Sequence, residues 1–145
     1  RTTLWWGMDV SVETTESLTG RCDCGAVGWR FRGLPDSATS CNCGICRRYG
    51  VLWAYDWEGE GITVDGRTTV YLRGDREIEF HFCPTCGCVL CWRALTLDDG
   101  RRRIAVNLRL TDPEPIADLP IRHFDGLTTM TDLPIDHRRV RDYWG

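Results

Sequence analysis

Seven of the nine cysteines in this chain lie in three tight clusters: Cys22-Asp23-Cys24, Cys41-Asn42-Cys43-Gly44-Ile45-Cys46 and Cys83-Pro84-Thr85-Cys86. One tetrahedral zinc takes four thiolates, so the two pairs make one closed site from Cys22, Cys24, Cys83 and Cys86. A C-x-x-C bend backed by Gly87 is a zinc knuckle, because the glycine lets the backbone turn and aim both sulfurs at one ion. The pairs are far apart in sequence, and each borders a strand. A shared ion would pin residue 22 to residue 86 and close a long loop, which marks this metal as structural. The alternatives are a disulfide or scattered free thiols.

The triplet is left over. Cys41, Cys43 and Cys46 offer three thiolates in one short run, and the intervening Asn42 is not a plausible zinc ligand. Three protein ligands and a fourth position open to solvent are how a zinc site is built when substrate must reach the metal. The same triplet is compatible with a second closed zinc completed by His81 or His123. It is also compatible with an iron–sulfur centre drawing on Cys88 or Cys91, and with plain buried thiols. An odd cysteine count in C-x-C and C-x-x-C spacings points to a reducing, cytoplasmic compartment rather than a disulfide framework.

The chain has 145 residues, which fits a single domain. No apolar run approaches the roughly 18 residues needed to span a bilayer. The opening Arg1-Thr-Thr-Leu-Trp-Trp-Gly is too short for a secretory signal, and Met8 reads as a natural start. Net charge is −3, and every basic residue is arginine. Two Zn²⁺ with seven thiolates bring the formal charge to about −6. An acidic chain without a basic run is not expected to bind nucleic acid or an anionic membrane.

Residues 1–17 read as a tail or cloning remnant, 18–125 as the zinc-binding domain, and 126–145 as a C-terminal extension packing on it. Val27, Trp29 and Phe31 alternate with polar or small residues, the period-two pattern of a half-buried strand. Val51 to Trp57 is an aromatic-rich strand. Ile62–Val64 and Thr69–Leu72 flank Asp65-Gly66, a strong hairpin dipeptide. Ile78, Phe80 and Phe82 share one face of a strand that leads into Cys83, and Cys88 to Arg93 forms another. Ile104, Val106, Leu108 and Leu110 alternate until Asp112-Pro113. Helix is scarce: one turn at Cys43–Tyr49 closed by Gly50, and a last turn near Val140–Trp144. The fold class is mostly β, in several small antiparallel sheets tied by metal.

Three runs together carry a family signature: Gly20-Arg-Cys22-Asp-Cys24-Gly-Ala-Val27, Cys41-Asn-Cys43-Gly-Ile-Cys46-Arg-Arg48 and Phe82-Cys83-Pro-Thr-Cys86-Gly87. This pattern resembles the glutathione-dependent formaldehyde-activating enzyme family, which also includes centromere protein V. The segments Val106–Pro113 and Ile121–Phe124 look like later parts of the same family. The resemblance implies a zinc-bearing β-tent fold. It implies a structural zinc on Cys22, Cys24, Cys83 and Cys86, and a catalytic zinc on Cys41, Cys43 and Cys46. It further implies a carbon–sulfur lyase that joins glutathione and formaldehyde as S-hydroxymethylglutathione. Gly44 stands where many relatives carry serine.

Glutathione has two carboxylates, so arginines are expected in its pocket. Arg47 and Arg48 directly follow the triplet and are the nearest candidates, with Arg109 behind them. Trp53, Tyr55 and Trp57 are expected in the core and pocket wall. The partner is then glutathione or another small thiol adduct. The competing class is a non-catalytic, zinc-stabilised protein-binding module or an adduct carrier.

Overall fold

The computed structural model describes residues 16–74 and 76–144. The N-terminal tail expected from the sequence therefore falls almost wholly outside the described residues. The chain forms β1 (Ser17–Arg21), β2 (Gly28–Arg32), β3 (Ala38–Cys41), α1 (Gly44–Tyr49), β4 (Trp53–Trp57), β5 (Ile62–Asp65), β6 (Thr69–Leu72), β7 (Ile78–Phe82), β8 (Val89–Ala94), β9 (Arg103–Asn107), α2 (Pro113–Ile116), β10 (Ile121–Asp125) and β11 (Thr131–Asp132). The fold is mostly β. The strands gather into a three-stranded sheet, β1-β2-β5, and an eight-stranded sheet, β11-β10-β3-β4-β9-β8-β7-β6. Pairing is antiparallel except between β3 and β10, which run parallel with Cys41 opposite Phe124.

Period-two alternation decides which face each residue serves. On β2, Trp29 and Phe31 are buried and Arg30 is exposed. β9 lies between β4 and β8 and is buried on both sides. Its Ile104 and Val106 join a core with Leu18, Phe31, Leu52, Ile62 and Leu90, whereas Ala105 joins a second core with Trp53, Phe80 and Val89. The first core fills the space between the two sheets. The second lies on the opposite face of the large sheet, beneath α1. Trp29 links the layers covalently distant in sequence, since its indole N–H donates to the Asn107 carbonyl at 3.1 Å. Burying each such large apolar side chain contributes about 1.5–3 kcal/mol.

Two local expectations change. Asp65-Gly66 does not make a hairpin, because β5 pairs with β2 and β6 pairs with β7. The dipeptide instead carries the chain from one sheet to the other. Asp65 is drawn to Arg21 at 3.0 Å, and Gly66, at φ 93°, passes so close to the Ala26 carbonyl that a Cβ has no room. The alternation over 104–110 also ends early. Asn107 turns its side-chain oxygen onto the Arg109 N–H at 3.1 Å, and Leu108–Leu110 become a turn of 3₁₀-helix.

The segment after β10 remains attached to the large sheet. β11 pairs with β10, the Val140 N–H donates to Leu119, and the Val140 side chain is fully buried. Among the described residues no helix is long and apolar enough to cross a membrane.

Candidate functional site

The four outer cysteines converge where the two sheets meet. Cys22 follows β1 of the small sheet, and Cys83 follows β7 of the large one. Each heads a tight turn: Gly25 N–H donates to Cys22 O at 3.0 Å and Gly87 N–H to Cys83 O at 2.9 Å. Backbone amides then point at sulfur, with Val27 on Cys22 and both Thr85 and Cys86 on Cys83, each at 3.4 Å. Amides of Cys88 and Cys24 pull the Cys86 thiol down to about 6. All four sulfurs lie within 4.8 Å of one another. A tetrahedral zinc with bonds of about 2.3 Å would set its sulfurs about 3.8 Å apart. The Cys22–Cys24 and Cys24–Cys83 separations are 3.7 and 3.6 Å, so the donor set fits Zn²⁺.

The triplet is built differently. β3 delivers Cys41 beside β10, and the ladder extends through the Asn42 N–H to the Phe124 carbonyl at 3.2 Å. Cys43 then caps α1, its sulfur accepting from the Cys46 N–H at 3.4 Å, and Gly50 ends the helix in the left-handed conformation at φ 67°. One turn of helix puts Cys43 and Cys46 on the same side. The three sulfurs lie within 4.8 Å of one another. Further donors reach these sulfurs, among them the Cys43 N–H to Cys41 at 3.5 Å and the buried Trp53 indole N–H to Cys46 at 3.3 Å. The Cys46 thiol donates to Cys41, which holds Cys41 down to about 5 and pushes Cys46 up. A thiolate-rich, donor-lined triplet suits a soft cation such as Zn²⁺.

Among the described residues no His, Cys, Asp or Glu adds a fourth ligand atom to this group. His81 is occupied on both ring nitrogens, by Thr68 Oγ1 at 2.7 Å and Glu79 at 2.9 Å. His123 faces Asp136 at 2.9 Å. Cys91 is fully buried in β8, where burial pushes its thiol up to about 12. Cys88 lies by the closed cluster, its carbonyl accepting from the Cys83 N–H.

The triplet lines a cavity of about 590 Å³ against the large sheet. Strands from both flanks contribute: Phe124 from β10, Trp53 and Tyr55 from β4, Trp92 from β8, Ile78 and Phe80 from β7. Arg73, just after β6, supplies the charge, with Nη1 3.9 Å from the Cys43 sulfur. Burial pushes the Tyr55 phenol up to about 12, so it stays protonated at neutral pH.

The three arginines expected from the sequence are not among the residues that line this cavity. Arg47 and Arg48 are exposed on α1 and do not line the cavity, and Arg48 bonds the Gly44 carbonyl of its own helix at 2.7 Å. Arg109 binds the Gly50 carbonyl at 2.7 Å and lines a different groove. Trp57 also misses the cavity and lies under Arg101, 4.0 Å from the ring centroid.

The turn after β10 is a part of the site that the cysteine spacing does not announce. Gly126 packs against the triplet so closely that a Cβ would stand 2.7 Å from the Cys41 sulfur. Asp125 holds this turn by accepting from Asn42, from the Thr129 hydroxyl and from the Thr128 and Thr129 amides. The Asn42 bond, then those from threonine, draw its carboxyl down to about 2. Asn42 closes the clamp by accepting from the Leu127 N–H at 2.9 Å. Asn42 is thus a tether between the triplet and the turn.

The class is that of a mostly β domain with one group of four cysteines and one of three, each able to hold a metal ion, the second lining a cavity. The family model described as glutathione-dependent formaldehyde-activating enzyme matches residues 17–119, and the chain belongs to that family. A crystal structure of a Rhodobacter sphaeroides protein from a structural genomics programme is similar in fold, with a TM-score of 0.55 and 26% identity. The likeness covers 72% of this chain and 99% of that one. No protein of curated function matches the chain.

Proposed function

We propose that this chain is a zinc-dependent enzyme of the carbon–sulfur lyase type, handling adducts between glutathione, or another small thiol, and an aldehyde. The observation that carries this reading is the triplet Cys41, Cys43 and Cys46 lining a cavity, with no fourth side-chain ligand among the described residues. Cys22, Cys24, Cys83 and Cys86 would hold a structural zinc, and the triplet a second one. When bound there, zinc would stabilise an incoming thiol as its thiolate at neutral pH, where a free thiol is mostly protonated.

The chain's own residues would do the rest. The aromatic wall excludes water around the reacting sulfur, and Arg73 offers a guanidinium for a carboxylate of the thiol. Tyr55 is the hydroxyl among the lining residues, and as a protonated phenol it can give a proton to the oxygen of the adduct and take it back in the reverse reaction. Thiol addition to aldehydes is intrinsically easy, so positioning is the larger part of the task. Soaking zinc-loaded crystals with glutathione tests this. Sulfur density beside the triplet supports the reading. A triplet already closed by a protein side chain returns the chain to the binding-module class.

A further inference from the structure

The cavity that this reading uses is not built for a one-carbon electrophile. Formaldehyde adds a single carbon to sulfur, and glutathione's arms end in carboxylates that seek donors. The wall around the triplet offers them Arg73 as its charged group, and is otherwise dominated by aromatic and aliphatic side chains. Tyr55 and Trp92 meet at 5.9 Å and 53°, and Trp53 and Phe80 at 6.4 Å, so the lining rings pack against one another as a continuous aromatic wall. Met130 extends that wall at the mouth. It holds φ 59°, uncommon for a residue with a side chain, through its N–H to the Asp125 carbonyl at 2.7 Å, and is 65% exposed. A cavity of about 590 Å³ is of the size that encloses drug-sized ligands.

The positive charge gathers on one side of the triplet, beside Cys43. Arg48 Nη1 and Arg73 Nη2 stand 3.4 and 3.8 Å from the position a Cβ on Gly44 would take, so two guanidiniums meet next to Cys43, Arg73 inside the cavity and Arg48 just outside it. Among the described residues neither forms an ion pair with a carboxylate. Glutathione's carboxylates fit that pair of cations. The apolar face beside the sulfurs is then left for whatever is attached to sulfur.

We propose, resting on the thiol-adduct reading above, that the aldehyde partner carries an aromatic or comparably bulky apolar group. The thiolate attacks the aldehyde carbon and a C–S bond forms. The carbonyl π pair moves to oxygen, which takes one proton, giving a thiohemiacetal; the lyase direction reverses each change. No other reactant is needed.

Stable thioether analogues test this with the zinc-loaded protein. Calorimetry should show S-benzylglutathione binding about tenfold or more tighter than S-methylglutathione, as burial of one ring gives. Trp92→Ala, at a half-buried position, and Met130→Ala, at the exposed mouth, should each shrink that gap to about threefold or less. Equal affinities, tighter S-methyl binding, or a gap that survives both substitutions overturns the proposal. If glutathione itself binds while the gap is absent, only the aldehyde class is wrong. If neither glutathione nor either thioether binds, the thiol-adduct reading fails and takes this proposal with it.

Discussion

In the function proposed above, the two cysteine clusters use the same ligand type for opposite ends. The four-sulfur cluster joins two sheets, with Cys22 after a strand of one and Cys83 after a strand of the other, and both are part of the central core. The three-sulfur cluster joins nothing distant through its own ligands, since Cys41, Cys43 and Cys46 lie within one β3–α1 connection. Its surroundings come from afar instead, with Arg73, Trp92, Phe124 and Gly126 brought to it from beyond β6, from β8 and from β10 and its following turn. A site that holds a fold together takes its ligands from separated strands. A site that meets a substrate keeps its ligands local and takes its walls from separated strands.

Removing one sulfur from each cluster should give the largest contrast. Cys83→Ala unties the two sheets, and its Tm should fall by about 10 °C or more, or the chain should fail to fold, as loss of a structural metal does. Cys43→Ala disturbs a single connection, and its Tm should fall by about 3 °C or less. Thermal melting of both in the presence of zinc makes the comparison. Equal or reversed losses would mean that the two roles are exchanged.

A smaller effect separates the clusters by lability. With a slow chelator, zinc should leave the triplet early and the closed cluster only on unfolding. Gly126→Ala should sharpen this, since its Cβ would press on the Cys41 sulfur. We expect release of the early zinc to quicken about tenfold while the late zinc is unchanged, the cost of local overpacking. Metal analysis against time reads both, and simultaneous release of the two zincs would break the comparison.

The smallest effect concerns the Asp125 clamp. The folded protein holds this carboxyl at about 2, below the ordinary value for aspartate near about 3.9. A depressed acid stabilises the fold above its unfolded value and loses that contribution as pH falls. Denaturant unfolding of wild type and Asp125→Asn should therefore differ most above about pH 4 and converge toward pH 2. Parallel curves across that window would show that the clamp carries no such linkage.

What the sequence makes legible is whatever is encoded within a few residues. Both cysteine groups, α1 with its Cys43 cap and Gly50 stop, and the alternation of β2 depend on local spacing, and the structure has them. The Asp65-Gly66 hairpin does not form because each flanking strand finds a better partner in a different sheet, a choice made at long range. The placement of the arginines is set in a related way. Arg47 and Arg48 are next to Cys46 in sequence, but both are exposed on α1 and neither lines the cavity, although the Arg48 guanidinium folds back onto the Gly44 carbonyl beside Cys43. Arg73 is remote in sequence and close in space to Cys43. Gly126 and Asp125 carry no motif, and only the parallel pairing of β10 with β3 brings them to the triplet.

The central claim is that the triplet accepts a thiol from solvent whereas the closed cluster does not. Cobalt substitution of both sites tests it most directly, because sulfur-to-cobalt charge-transfer bands grow with each added thiolate. Glutathione should intensify those bands by the increment of one thiolate at one of the two cobalts, and S-methylglutathione should leave them unchanged. A spectrum indifferent to glutathione, in protein that holds both metals, would contradict the account.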